Sequence, residues 1–296
     1  MCWALTFLGV GVALWRSREA LSDRQVPTMG GLAAFIFAAQ MLNFPVAGGT
    51  SGHLIGDTLA AILLGPWQAM IVMATVVAVQ ALLFQDGGLL ALGANILNMA
   101  ILAPIVAYGF YRGLRILLSA RREGAFIAAF AAAWVSTVAA AAATAMELGF
   151  SGTSPIGIAL PAMVGIHALI GIGEGLITVG ALALVIATRP DLVAPGRASA
   201  PSGMRWVWGG LAVAIALALL SPLASPNPDG LERMAEELGF IARAQEPLYT
   251  VMPDYTFPGI SHPALTTMVA GIVGTLIAYG VAVGLAALFR RGKPMT

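Results

Sequence analysis

Histidine is the side chain best suited to hold a borderline transition-metal ion or to move a proton near neutrality, and this 296-residue chain has three. His53 follows the loop Gly48-Gly-Thr-Ser-Gly52 and opens an apolar segment in which Asp57 stands four residues on. If that segment is helical from His53, the carboxylate lies one turn away on the same face. His167 and Glu174 stand seven residues apart in a later apolar run and would share a face as well. Asn95 and Asn98 place two amides in a third stretch. Groups of these types support coordination of a divalent cation through nitrogen and oxygen. They also fit nucleophilic catalysis: Gly49-Thr-Ser-Gly52 and Gly149-Phe-Ser-Gly152 have the Gly-x-Ser-Gly form of rhomboid-type intramembrane proteases, with Ser51 or Ser151 as nucleophile and His167 as base. Each group also has a purely structural account. His53 fits a helix-capping loop, Asp57 a helix start, Asn95 and Asn98 interhelical packing, and Glu174 an ion pair.

These polar residues are set in a chain that is 59 % hydrophobic and 10 % charged, with a mean hydropathy of +0.88. Soluble domains are far from that composition. Apolar runs long enough to cross a hydrocarbon layer of about 30 Å recur along the whole length. A backbone in lipid must satisfy its own hydrogen bonds, and the alternation of a β-barrel is absent. The expected fold class is therefore all-α, a polytopic helical membrane protein. A carboxylate at membrane depth costs about 2.5–3.5 kcal/mol on insertion scales, so Glu174 should be partnered and polar groups there are functional candidates.

The elements that must position these residues follow from the apolar runs. A short segment covers 2–15, and spans are expected at 28–44, 67–84, 95–111, 126–148, 162–187, 206–223 and 263–289. The piece 54–64 is too short to cross alone and reads as broken or re-entrant, turning at Gly65-Pro66. A Pro-containing linker, 189–205, separates a membrane domain, 1–188, from a two-helix module, 206–296, with a polar segment at 224–262. Asp229, Glu232, Glu236, Glu237, Asp254 and His262 in that segment either gather cations or form a solvated acidic face. Thirteen of the fifteen Lys and Arg residues fall in four loops, at 16–24, 112–122, 188–205 and 290–293. Placing those loops inside puts the N-terminus outside and the C-terminus in the cytoplasm. The segments 45–53, 85–93, 149–161 and 224–262 then face outward, provided that 54–84 makes two passes. Lys293 is the sole lysine, so no phosphate-binding loop ending in Lys-Ser/Thr can be built. Cys2 is the sole cysteine, which excludes an intrachain disulfide and a cysteine-cluster metal site. A net charge of +1 says nothing about partners, and no nucleic-acid partner is expected.

Three strings carry a resemblance: NFPVAGGTSGHLIGDTLAAILLGPW at 43–67, QALLFQDGGLLALGANILN at 80–98 and HALIGIGEGLIT at 167–178. They resemble the cobalt/nickel substrate-capture (S) component of energy-coupling-factor ABC transporters, of the CbiM/NikM type. SPNPDGLE at 225–232 and PDYTFPG at 253–259 resemble the PDGLE domain found fused or adjacent to such components. The resemblance implies Ni²⁺ or Co²⁺ as transported substrate, no resident cofactor, and a location in the inner (plasma) membrane. It implies a transmembrane coupling (T) protein and two ATPase subunits as partners, and no ATPase activity in this chain. It implies a metal held by His53 together with the terminal amine, amide and imidazole of an N-terminal Met-His. This chain begins Met1-Cys2-Trp3, and Trp3 onward resembles the interior of the family's first span, so the expected start lies upstream. Asp57, Asn95, Asn98, His167 and Glu174 are then expected to orient the ligand loop.

Overall fold

The computed structural model describes residues 1–18, 21, 25–118, 121–193, 204–245 and 247–289. Arg24, the linker from 194 to 203 with Arg197, and Arg290, Arg291 and Lys293 lie outside the described residues. Helices α1 (Cys2–Ser17) and α2 (Gln25–Gln40) come first. The span expected to run to residue 44 stops at Gln40, because Asn43 to Gly52 forms a hairpin. Strands β1 (Phe44–Val46) and β2 (Thr50–Gly52) pair antiparallel with Phe44 opposite Gly52 and Val46 opposite Thr50. The turn between them needs left-handed backbone, which Gly48 and Gly49 supply at φ 78° and 75°.

Helix α3 (Asp57–Leu64) corrects a second expectation, since it starts at Asp57 and His53–Gly56 is not helical. It does end in the expected break: Gly65 takes φ 84°, and Pro66 opens α4 (Pro66–Val79) at the position where a missing N–H costs nothing. At about 1.5 Å per residue, α3 covers only ~12 Å. A π-helical turn, Gln80–Phe84, ends that span. The next consists of α5 (Leu92–Asn95), a π-helical stretch Ile96–Leu102 and α6 (Ala103–Leu117). Then come α7 (Arg122–Phe150), α8 (Ile156–Thr188), α9 (Met204–Leu220), the short α10 (Gly230–Glu237) and α11 (Pro263–Phe289). Six helices among the described residues are long and apolar enough to cross a membrane. The fold is an all-α polytopic membrane bundle.

Helix α2 is the central post, buried on nearly every side. Without a hydrophobic driving force between helices in lipid, close approach depends on small side chains. Ala34 and Ala38 of α2 meet Leu211, Ala214 and Ala218 of α9. One turn earlier, a Cβ on Gly30 would start 3.0 Å from the Tyr279 ring of α11. Helices α7 and α8 interlock by the same device, with Gly171 against Trp134 and Gly175 against Phe130.

The two ends of the bundle differ in chemistry. At one end Arg16 lies 5.8 Å from the Trp67 ring, Arg18 5.8 Å from Phe289 and Arg189 5.2 Å from Trp206. These contacts gather the ends of α1, α8 and α11 with the starts of α4 and α9. At the other end the segment after α9 closes over the hairpin and the π-helical turn. Ser225 N–H donates to Asn43 O at 2.8 Å, and Met252 N–H donates to Leu83 O at 2.9 Å. The Tyr255 hydroxyl donates to Asp86 Oδ2 at 2.7 Å while its ring stacks on Phe84 at 4.6 Å.

Candidate metal centre

A cavity of about 250 Å³ opens beneath that closure. His53, Asn95, Asn98 and His167 all line it, together with Gln40, Gln80, Asp86, Thr137, Thr144 and the Asp229-Gly230-Leu231 turn. The two histidines, 114 positions apart in sequence, thus face one polar chamber. His53 Nδ1 lies 3.0 Å from Leu54 O, and His167 Nδ1 lies 2.8 Å from Met163 O. A carbonyl only accepts, so each Nδ1 carries the hydrogen, and in the neutral imidazole Nε2 then holds the lone pair. That is the tautomer a neutral imidazole needs to bind a metal through Nε2.

His53 is held in place from both sides of the next peptide. Gln40 Nε2, from α2, donates to Ile55 O at 2.7 Å. Glu174, from α8, accepts Ile55 N–H at 2.6 Å on Oε2 and Gly56 N–H at 2.9 Å on Oε1. Glu174 is therefore partnered, as expected, but by the backbone N–H groups of Ile55 and Gly56, just before and at the N-cap of α3, rather than by a cation. The arrangement is a helix N-terminus satisfied by a distant carboxylate. Gly56 sits at φ 82° with Ile36 packed where a Cβ would be, so the kink that delivers His53 needs glycine.

Asp57 does not serve His53. It is fully buried at the start of α3, where Ser136 Oγ donates to its Oδ1 and Thr58 Oγ1 to its Oδ2, each at 3.4 Å. His53 is not helical, so the two side chains do not share a helix face. Asn98 Nδ2 donates to Glu147 Oε2 at 2.9 Å and to Thr144 Oγ1 at 3.1 Å, tying the π-helical stretch to α7. Asn95 Nδ2 reaches Gly87 O at 3.5 Å and steadies the turn above the cavity.

The serines have structural roles. Ser51 is buried; its N–H donates to Pro228 O at 2.8 Å and its Oγ to Asn227 O at 2.8 Å. Ser151 Oγ donates to Leu148 O at 3.0 Å beyond the end of α7. Neither hydroxyl has a histidine among its partners within the described residues. In the 224–262 segment, Asp229 caps α10 by accepting Leu231 and Glu232 N–H on Oδ1, each at 2.8 Å. Partial burial first, then the neighbouring Asp229 charge, raises the Glu232 carboxyl above its ordinary pKa. Glu237 pairs with Arg233 at 2.7 Å, and His262 Nδ1 accepts Leu265 N–H at 3.4 Å at the start of α11, so neither belongs to the cavity.

Three polar residues in or beside the cavity escape a reading by motif. Gln40 braces the His53 segment, and its Oε1 is buried without a partner among the described residues. Gln80 lines the cavity, and Glu147 anchors Asn98. Each is an isolated polar residue in an apolar run, the signal that membrane depth makes costly.

Two imidazoles lining one cavity of a helical membrane bundle are groups that a transition-metal transport protein could use, and similarity to known proteins places the chain in that class. The chain belongs to the family described as the cobalt uptake substrate-specific transmembrane region, CbiM, which it matches over residues 1–192; residues 204–291 match the PDGLE domain. It is 38 % identical over 288 residues to a putative fused nickel transport protein NikMN of Archaeoglobus fulgidus, covering 93 % of this chain and 90 % of that one. A fused nickel transport protein NikMN of Rhodobacter capsulatus is 31 % identical over 325 residues, covering 95 % and 92 %. A crystal structure of a truncated transition metal transporter superimposes with a TM-score of 0.57 at 36 % identity, covering 63 % of this chain and 92 % of that chain.

Proposed function

We propose that this chain captures Ni²⁺ or Co²⁺ at the outer face of the inner membrane, as the substrate-specific component of an energy-coupling-factor transporter. A coupling membrane protein and two ATPases would supply the energy, since the only lysine, Lys293, leaves no phosphate-binding loop. Residues 1–188 form the capture domain, and 206–296 form the fused PDGLE-type module. The chain is a transport component and not an enzyme, and the metal is its substrate.

The observation that carries the reading is the bracing of His53. Its backbone segment is fixed through Ile55 by Gln40 and through Ile55 and Gly56 by Glu174, and its Nδ1 is occupied by Leu54 O. A side chain so constrained offers one nitrogen in one direction, which is what a specific metal site requires. The other nitrogens would come from an N-terminal Met-His sequence, as the family resemblance implies. Nitrogen-rich coordination favours Ni²⁺, and Co²⁺ after it, by both affinity order and geometry.

The test is His53→Ala in a chain that carries the Met-His start. Isothermal titration with Ni²⁺ and Co²⁺ should lose the high-affinity phase while the melting temperature stays near that of the parent. Unchanged affinity would remove His53 from the site.

A further inference from the structure

The cavity contains a second imidazole that the capture of one ion by His53 does not use. His167 Nδ1 is committed to Met163 O at 2.8 Å, which leaves Nε2 without a hydrogen-bond partner among the described residues. Against this ring lies the Pro228-Asp229-Gly230 turn of the C-terminal module. A Cβ on Gly230 would start 2.8 Å from His167 Cε1 and 3.4 Å from Nδ1, so only glycine lets the turn approach this closely. Asp229 is next in the chain and lines the same cavity. Its Oδ1 receives both capping N–H groups of α10, and Oδ2 has no hydrogen bond among the described residues.

We infer that His167 Nε2 and the free oxygen of Asp229 form a second station for a divalent transition-metal cation, built across the boundary between the capture domain and the C-terminal module. The inference rests on the metal-capture reading above. An imidazole nitrogen and a carboxylate oxygen are ligands that first-row divalent ions accept together. Among the described residues no three His, Cys, Asp or Glu side chains converge on one point, so water completes the shell. Such an ion is held loosely and exchanges, which suits a place of passage: a conducted ion must bind well enough to enter and weakly enough to leave. The turn is latched over the cavity by Ser51, whose N–H and Oγ both donate to the Asn227 and Pro228 carbonyls. The same loop that ends in His53 thereby sets where Asp229 stands.

The experiment titrates the full chain carrying the Met-His start, in lipid nanodiscs, with Co²⁺, followed by its visible absorption and by equilibrium dialysis. The parent should show a His53-dependent class of ion and a second class at least tenfold weaker. His167→Ala and Asp229→Asn should each abolish the weaker class while leaving the first intact. Asparagine still accepts the α10 capping bonds, so the second variant removes charge and keeps the turn. His53→Ala should abolish the first class and leave the second. A single class in the parent, or a weaker class that survives both His167→Ala and Asp229→Asn, would overturn the station. Loss of both classes in His167→Ala without loss in Asp229→Asn would also overturn it, since His167 would then belong to the first site alone. Survival of the first class in His53→Ala would instead count against the capture reading and leave the station standing.

Discussion

Glu174 Oε2 accepts the Ile55 N–H at 2.6 Å, joining residues 119 positions apart at the point where the chain leaves the hairpin and enters α3. The same carboxylate takes Gly56 N–H at 2.9 Å, so the N-cap donor of α3 and the donor before it are satisfied by one side chain. His53 lies two residues before this clamp, and its aim depends on it.

Glu174→Gln keeps the volume and one acceptor oxygen but turns an NH₂ group toward an N–H. A buried donor left unsatisfied costs about 1–3 kcal/mol. A lowered melting temperature is expected, together with a roughly 10–100-fold loss of metal affinity, the usual effect of losing a group that orients a ligand. A normal titration in Glu174→Gln would show that His53 is aimed without the clamp.

Ser51→Ala removes the hydroxyl bond to Asn227 O and leaves the backbone bond to Pro228 O. One net hydrogen bond is worth about 0.5–1.5 kcal/mol, so the expected effect is a modest loss of stability with metal binding retained. Peptide cleavage by the parent, abolished in Ser51→Ala or Ser151→Ala, would instead revive a protease.

Orientation is open to labelling. In a Cys2→Ser background, a cysteine at the exposed Ser261 should react with a membrane-impermeant maleimide in intact cells, and one at the exposed Thr188 should react only after permeabilisation. The reverse pattern would turn the whole bundle over, because the two positions lie at opposite ends.

Concentrative uptake should need partners. Reconstituted alone in liposomes, the chain should bind Ni²⁺ or Co²⁺ and show no ATP-driven accumulation. Accumulation by the single purified chain would contradict the absence of a nucleotide-binding loop.

The sequence by itself determined the class of fold, because composition and run length decide whether a backbone can live in lipid. It also marked the break at Gly65-Pro66, where Gly and Pro act locally, and it marked His53, His167 and Glu174 as candidate functional groups among apolar runs. What it misplaced depends on tertiary partners. Residues 53–56 look helical by their apolar character, yet the hairpin before them and Gly56 at φ 82° keep them irregular. Asp57 consequently turns to Ser136 rather than to His53. Only the packed bundle decided that Gln40 and Glu174 would grip the same segment from two helices. Only the packed bundle decided that Ser51 would be a latch for the Asn227-Pro228 carbonyls, and that His167 would stand against Gly230. Local pattern carries no record of such pairings, because each is a hydrogen bond or a contact between residues more than a dozen positions apart in a chain whose apolar spans offer many alternative neighbours.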